Sequence, residues 1–429
     1  MQFESPRMRK APFFCSLLLS IFSSGAVVAA EWSIEPSISL REEYNDNIRF
    51  TASPHPSVWQ SRLTPSVKLS SATEVSEVSG SAQMSINQYA GDPQVENRND
   101  LFFTLLTRFR SELNAWAMNA SYKQDSTAEE RNTTGVVQVR TQRSVLGLSP
   151  SWTRTLTERS SVKLDYNFQD VKYGQINLND YTYQQVGGTL SYQLSERDQV
   201  TVSANYSALK YAPTSRLLTG VTIISIDPGI ISLGSGTDAS LNESSTRNIQ
   251  VGATHQFSET LNGSLSVGRR STVSSVNHTC TSCYTIVGTP ISTFTSETSG
   301  SGSSFSATLE KTFDAATVSG FASRETNPSG SGLVETDRVG VSLNKSLTEK
   351  LTAAVDVASY HTKYISLASP SSRYYTFDPR LNWRFTEWWT LDAGYRYQRY
   401  ESEAVANTTT SNAVYLNLAY NWPKMAVSR

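Results

Sequence analysis

The side chains in this chain best suited to acid–base chemistry are its four histidines. His55 and His278 fall in predicted loops, whereas His255 and His361 fall at strand positions predicted to face outward. None has the spacing to a serine or a carboxylate cluster that a nucleophile–base pair would show, although distant strands could bring such groups together. The sequence therefore favours a protein that is not an enzyme, with no catalytic residue and no cofactor.

Cys280 and Cys283 form a C-x-x-C motif, and His278 stands two residues before it. A zinc site would need a fourth ligand and deprotonated thiols. In an oxidising compartment a local disulfide is the expected alternative, because free thiols are oxidised there. We predict the Cys280–Cys283 disulfide and no metal site.

The run Asn45-Asp46-Asn47 offers oxygen ligands that could bind calcium. It lacks the regularly spaced acids of a calcium-binding loop. Asn and Asp side chains also accept hydrogen bonds from nearby backbone amides and so favour turns. A turn at the end of a strand is the favoured interpretation.

The composition argues against a nucleic-acid-binding protein and against a helical membrane protein. The 429 residues carry a formal net charge of −1, and no basic cluster points to nucleic acid. Beyond the N-terminus, no apolar run reaches the roughly 18 residues that a membrane helix needs. The mean hydropathy of −0.35 is nevertheless compatible with a membrane barrel, because half of each strand faces water.

The N-terminal 30 residues have the order of a secretory signal. Arg7, Arg9 and Lys10 precede a short apolar run, and small residues end at Ala30. We predict a signal peptide over 1–30 that is cleaved near Ala30, which also removes Cys15. A barrel then occupies 31–429.

The segment from Tyr374 to Tyr397 defines the fold class. Large apolar side chains alternate with polar ones on both sides of the short polar turn Thr386-Glu387. A period of two places successive side chains on opposite faces of a strand, so this is an antiparallel hairpin. One face is rich in Trp and Tyr, including near the strand ends, and the other carries charges. A membrane β-barrel has this arrangement, with lipid outside, water inside and aromatic girdles at both interfaces.

The same kind of turn recurs along the chain, at 156–158, 194–196, 257–259, 313–314, 347–349 and 385–387. Tight turns alternate with longer segments, of which 209–244 and 274–301 are the longest and are rich in Ser, Thr and Gly. This asymmetry predicts short periplasmic turns and long extracellular loops, one of which could fold back to narrow the mouth.

The pattern predicts an all-β protein, a closed antiparallel transmembrane β-barrel of about 18 strands, with 16 as the alternative. Closure is required because unpaired backbone groups cannot face lipid. The predicted strands are 34–49, 58–70, 77–89, 99–110, 112–124, 136–154, 160–172, 181–194, 199–211, 244–257, 261–273, 302–313, 316–325, 335–347, 351–364, 372–385, 389–400 and 412–422.

Strand parity also predicts which side chains line the lumen. The charged candidates are Arg108, Lys163, Asp165, Arg338, Asp356, Asp378, Arg380, Arg384, Asp392 and Arg396. They either brace the sheet by cross-strand pairing or set a transverse field in a weakly selective channel. Four tyrosines share the inward parity and could stack on sugar rings or simply fill space: Tyr183, Tyr360, Tyr374 and Tyr415.

The chain resembles the β-barrel porin 2 family. The resemblance is carried by EYNDNI (Glu43–Ile48), by LTPSVKL (Leu63–Leu69) and by the alternating strands that follow. It implies an outer-membrane barrel, of the kind that accompanies exopolysaccharide and exosortase (PEP-CTERM) gene clusters in Gram-negative bacteria. It also implies a role in polysaccharide passage, and supplies no catalytic or ligand residues.

Sequence and resemblance together predict an outer-membrane channel for hydrophilic solutes, in particular for a polysaccharide or oligosaccharide. The alternative is a non-conducting barrel that acts as scaffold for a secretion or surface-assembly complex. The expected partners are outer-membrane lipid and lipopolysaccharide, together with polysaccharide export machinery, and no nucleic acid.

Overall fold

The computed structural model describes residues 31–175, 178–218, 221–225, 230–233, 236–285, 290–365, 371–403 and 407–427. The predicted signal peptide, 1–30, lies outside these residues. The strands are β1 (Glu31–Asn45), β2 (Val58–Ala72), β3 (Ser76–Ala90), β4 (Arg98–Arg110), β5 (Asn114–Ser126), β6 (Gln142–Thr157), β7 (Ser160–Tyr173), β8 (Tyr181–Gln193), β9 (Asp198–Tyr211), β10 (Thr214–Leu218), β11 (Val221–Ser225), β12 (Ile230–Leu233), β13 (Gly236–Ser258), β14 (Leu261–Thr285), β15 (Pro290–Thr312), β16 (Ala316–Ser329), β17 (Gly332–Ser346), β18 (Leu351–Tyr364), β19 (Ser372–Trp383), β20 (Trp389–Ser402), β21 (Asn407–Asn421) and β22 (Met425–Val427). One helix, α1 (Thr127–Thr134), lies between β5 and β6.

The strands form a closed antiparallel barrel. Each of β1 to β8 pairs with the next strand in sequence, β9 pairs with β13, and β13 to β21 continue the ring. The ring closes where β1 pairs with β21, from Ser37↔Asn421 to Asn45↔Ala413. The short strands β10, β11, β12 and β22 lie outside this ring, so the described residues form a wall of 18 strands. The predicted strand number is confirmed.

The outer face of the ring is apolar along its whole circumference. On β13, Val251 is 55% exposed and lies between Val202 of β9 and Val267 of β14, which are similarly exposed. Trp389, Tyr420 and Trp422 form a contiguous aromatic group near the tight turns. Tyr44 and Trp59 form another towards the opposite end. An exposed apolar band between two aromatic groups is the surface that lipid requires.

The two ends of the barrel differ. At one end, tight turns such as those at 158–159 and 259–260 join the strands, and β1 begins and β21 ends there. Longer connections lie at the other end, which we call the loop end. No helix within the described residues is long and apolar enough to cross a membrane.

Three strands extend well beyond the barrel wall at the loop end. β13, β14 and β15 run through 236–258, 261–285 and 290–312, so much of the predicted long segments 209–244 and 274–301 is strand and not irregular loop. Above the lipid both faces of a strand meet water, and the apolar alternation that reveals a strand in sequence disappears. Hydroxyl pairs hold these strands together instead, such as Ser244–Ser274 at 2.7 Å.

The predicted strand 136–154 begins too early. β6 starts at Gln142, and residues 127–141 form α1 and an irregular return segment, which together we call the strap. The Ser126 hydroxyl caps α1 by accepting from the backbone amide of Ala128, and Gly135 ends it with a left-handed φ of 72°. The caps define a helix that ends before residue 136, and residues 136–141 return to the wall as irregular backbone rather than as the start of a strand.

The Asn45-Asp46-Asn47 run lies at the seam that closes the barrel. The Asp46 carboxylate accepts hydrogen bonds from the backbone amide and the side-chain amide of Asn412, both at 2.7 Å. Asn45 Oδ1 accepts from the backbone amide of Asn47 at 2.8 Å and from the Ser411 hydroxyl at 3.0 Å. These hydrogen bonds join β1, the first strand of the ring, to β21, the last. The Asn45-Asp46-Asn47 run therefore has a structural role.

Candidate functional site

The lumen has two halves of different character. In the half near the tight turns, inward side chains such as Arg108, Lys163 and Arg380 are exposed. Towards the loop end, inward polar side chains such as Asn87 and Asp100 are buried. The barrel therefore holds a water-accessible vestibule on the tight-turn side and a filled mouth at the loop end.

Paired charges line one wall of the lumen. Arg380 Nη2 lies 2.8 Å from Asp356 Oδ2, and Arg396 Nε lies 2.8 Å from Asp378 Oδ2. These four predicted residues come from the adjacent strands β18, β19 and β20, and the Ser342 hydroxyl of β17 donates to Asp356. Opposite charges at this spacing compensate one another, so this wall is strongly polar without a dominant sign.

The remaining charged candidates are spread around the ring. Arg108 pairs with Glu77 of β3 at 3.0 Å, and Lys163 is exposed on β7. Asp392 accepts from the amide of Asn417 at 3.1 Å.

Three others are less typical of a pore lining. The Arg338 guanidinium lies over the Phe321 ring, 4.3 Å from its centroid. The carboxylate of Asp165 lies beside Gly187, where an added Cβ would come within 2.6 Å of it. Arg384 follows the end of β19 and is exposed at the rim of the vestibule.

The opposite wall is formed by β8, β9 and β13 and is largely uncharged. Its inward positions on β9 are Gln199, Thr201, Ser203, Asn205, Ser207, Leu209 and Tyr211. In an 18-strand ring β8 and β9 lie half a turn from β20 and β21, so this wall of amides and hydroxyls faces the β20 edge of the charged wall.

Three of the four predicted sugar-stacking tyrosines have no ring face open to a solute. Tyr374 is fully buried and Tyr360 is 2% exposed, because both pack in one cluster with Phe50. The Arg41 guanidinium covers the ring of Tyr415 at 3.7 Å from its centroid. Tyr183 lines a cavity inside the lumen, so among these four tyrosines it is the one for which the predicted stacking role remains a candidate in this arrangement.

The strap crosses the mouth of the barrel from one wall to the other. It leaves the wall between β5 and β6, yet the backbone carbonyl of Thr134 accepts from Thr336 of β17 at 3.0 Å and from Thr362 of β18 at 3.1 Å. β17 and β18 are nine strands away from β5 and β6, which is the opposite side of the ring. At the tip, any Cβ on Gly135 would lie 2.5 Å from Cβ of Tyr360.

Charged and aromatic contacts hold the strap at its middle and base. The Arg131 guanidinium lies over the Phe50 ring at 4.3 Å from its centroid. Glu130 accepts from Arg143 and from the Tyr173 hydroxyl, both at 3.1 Å. Burial holds the pKa of the Glu130 carboxyl above its usual range, against the opposing effect of the Arg143 guanidinium.

The tip of the β16–β17 hairpin also turns into the mouth. Leu333 joins a cluster with Tyr181 and Tyr211 from the wall of β8 and β9. The Tyr211 hydroxyl donates to the backbone carbonyl of Ser329 at 2.9 Å. Strap and hairpin tip together fill the centre of the mouth.

Sequence reasoning missed the strap although its local signals were present. A serine before two acidic residues and a glycine eight positions after the helix start are helix-capping signals. The contact between Gly135 and Tyr360 depends on the strand register around the whole ring. A local sequence pattern therefore could not predict it.

Among the residues that the structure describes, the cysteines form a disulfide and three of the histidines form ion pairs. The structure joins Cys280 and Cys283 by a disulfide on β14. His255 Nδ1 lies 2.6 Å from Asp198, whose other carboxylate oxygen accepts from Ser195. The serine thus bonds to the carboxylate, which is not the order of a serine–histidine–acid triad. Within the described ranges no three metal-ligating side chains come together.

Comparison with known proteins gives structural likeness only. No protein-family model matches the chain, and no curated protein matches it in sequence. The resemblance to the β-barrel porin 2 family thus finds no support there.

Solved structures give long but weak matches. The chain is similar to OccAB3 of Acinetobacter baumannii, with 10% identity, a TM-score of 0.44 and coverage of 92% of this chain and 99% of that one. It is similar to the ferric yersiniabactin uptake receptor FyuA of Yersinia pestis, with 9% identity, a TM-score of 0.47 and coverage of 92% and 71%. It is also similar to the ferric-catecholate import receptor Fiu of E. coli K12, with 11% identity, a TM-score of 0.46 and coverage of 92% of this chain and 82% of that one. With identities and TM-scores this low, the matches add no evidence beyond the barrel that the strand pairing already shows.

Proposed function

We propose that this protein is an outer-membrane channel for hydrophilic solutes, with a strap that gates its mouth. One observation carries the proposal: a water-accessible, charge-lined vestibule leads to a mouth that the strap spans and the β16–β17 hairpin tip narrows. Barrels of this strand number leave an aqueous lumen, and an apolar outer band with a polar interior is typical of outer-membrane channels.

A polysaccharide or oligosaccharide is the solute class we propose. The support is the uncharged wall of amides and hydroxyls, which matches neutral hydroxylated solutes, together with the family resemblance in sequence. The paired charges on the facing wall favour neither anions nor cations strongly.

A second candidate is a non-conducting barrel that acts as a scaffold. The filling of the mouth by the strap and the hairpin tip favours it. Planar-bilayer recording of the purified, folded protein separates the two, because a channel gives stable current steps and a scaffold gives none.

Charge reversal in the vestibule tests whether such current passes through this lumen. Arg380→Glu combined with Lys163→Glu should shift the permeability ratio several-fold towards cations, because both side chains are exposed on the inner face. Lys172→Glu is the matched control, since Lys172 lies on the outward parity of β7 and is exposed. If the double variant and the Lys172→Glu control shift the permeability ratio equally, or if neither shifts it, the current does not pass through this lumen.

The raised pKa of Glu130 makes docking of the strap depend on pH. The docked carboxyl holds a proton more tightly than a released one, whose pKa would return towards 4.5, so protonation favours the docked strap. Open probability should therefore fall as the pH drops below the raised pKa, and should level off below about 4.5. Arg143, Asp125 and Tyr173 face this carboxyl and stay unchanged in the test.

Glu130→Gln should remove that pH dependence, because the amide does not titrate in this range. Glu129→Gln, an exposed neighbour on the same helix, should keep it. An unchanged profile in Glu130→Gln, or a rise in open probability with acid, would contradict this coupling.

A further inference from the structure

A polar cavity of about 320 Å³ lies in the lumen between the uncharged wall and the inturned β16–β17 hairpin. Tyr183, Gln185 and Asn248 line it from the barrel wall, and Thr326 and Asn327 line it from the hairpin. Its volume falls at the small end of the range for ligand sites in proteins, about 300–1,000 Å³.

The hydrogen bonds within the wall leave a defined set of groups for a ligand. Tyr183 donates to the Gln185 carbonyl oxygen at 2.6 Å, which leaves the Gln185 amide group. Ser304 donates to the Asn248 carbonyl oxygen at 2.8 Å, which leaves the Asn248 amide group. Gln250 donates to Ser304 at 3.0 Å and so keeps its carbonyl oxygen as an acceptor.

The cavity thus offers two donors, the amide groups of Gln185 and Asn248, and one acceptor, the carbonyl oxygen of Gln250. A hydroxyl both donates and accepts, so it can satisfy either kind, whereas a carboxylate only accepts. The cavity is thus matched to a ligand that bears several hydroxyl groups.

The charges around the cavity disfavour an anionic ligand. The Arg270 guanidinium is paired with Glu335, and the Arg324 guanidinium is paired with Asp337 at 2.5 Å. Glu325 is exposed at the hairpin edge and contributes a negative charge. Both arginines that line the cavity are therefore already paired, and an anion would be repelled by the Glu325 carboxylate.

We propose that this cavity is a binding subsite for one or two residues of a neutral oligosaccharide. The Tyr183 ring forms one edge, the amides of Gln185 and Asn248 and the Gln250 carbonyl bind the hydroxyls, and the hairpin closes the cavity from the mouth. The assignment deepens the proposed function and rests on it for the choice of solute, but binding itself needs no conduction.

Calorimetric titration of the detergent-purified full barrel tests the site. The probes are three neutral hexasaccharides (maltohexaose, cellohexaose and mannohexaose) and an oligogalacturonate of the same length. We expect at least one neutral probe to bind and the oligogalacturonate to bind at least about tenfold more weakly.

Gln185→Leu combined with Asn248→Leu should weaken the neutral probe about tenfold or more, because two hydrogen bonds are lost at nearly unchanged side-chain volume. Asn119→Leu combined with Asn262→Leu is the control, since these amides are exposed inward on β5 and β14 outside the cavity. Gel mobility before and after boiling establishes that both double variants are folded.

Three results would overturn the subsite: no neutral probe binds, the oligogalacturonate binds as tightly, or the cavity and control variants lose the same affinity. If any of these appears while current steps persist, the subsite fails and the channel stands. Oligosaccharide binding without any current would retain the subsite and reject the channel.

Discussion

Removing the strap is expected to raise single-channel conductance several-fold. The backbone amide of Thr127 donates to the carbonyl of Thr141 at 3.0 Å, so the two ends of the strap lie side by side. A short Gly-Ser turn can therefore replace residues 128–139 without straining β5 or β6. The replacement removes the segment that reaches Thr336 and Thr362 on the far wall.

A point substitution should act in the same direction with less disruption. Gly135→Val places a side chain where an added Cβ already lies 2.5 Å from Cβ of Tyr360, at a backbone φ of 72° that valine rarely adopts. The tip of the strap should then leave the wall, and the open probability should rise.

Glu129→Ala is the matched control, since Glu129 is exposed on the same helix. Both strap variants should keep the β-rich circular dichroism spectrum and the slow gel migration after boiling. If both are folded and conduct like the unmodified barrel, the strap does not obstruct the lumen.

The barrel could be predicted because lipid and water impose opposite demands on alternate residues. On β21 the apolar side chains of Val414, Leu416, Leu418 and Tyr420 all lie on the lipid-facing side, and Trp422 follows directly after the strand. The recurring tight turns then predicted the number of strands. Each strand needs about 10 residues to cross the bilayer, so the spacing between turns shows how many strands fit between them.

Parity predicts the direction of a side chain but not what it meets. Tyr360 and Tyr374 do point inward, yet Phe50 from the β1–β2 connection packs against them and Arg131 from α1 lies over the Tyr374 ring. Those contacts depend on segments distant in sequence, which is why a stacking role could not be separated from packing beforehand. The pairing of Asp378 with Arg396 was equally beyond a local pattern, because it depends on the register of two strands.

The second large effect is expected on the stability of the barrel in the membrane. Val251 lies near the middle of the outward face of β13, where its side chain is 55% exposed and its neighbours on both sides are valines. Val251→Arg would place a charge in the hydrocarbon, at a cost of about 2–4 kcal/mol near the midplane. The midpoint of urea unfolding in lipid vesicles should fall accordingly, and the heat-modifiable folded band should weaken.

Thr254→Arg supplies the control from the same strand. Thr254 has the opposite parity and is exposed in the vestibule, so the added guanidinium stays in water and stability should change little. Val251→Leu controls for the change in size alone, because it keeps the outer surface apolar. A loss of stability in Thr254→Arg that equals or exceeds the loss in Val251→Arg would mean that the two faces of β13 are exchanged. Since each neighbouring strand fixes the parity of the next through its register, the lumen residues assigned here would then face lipid instead.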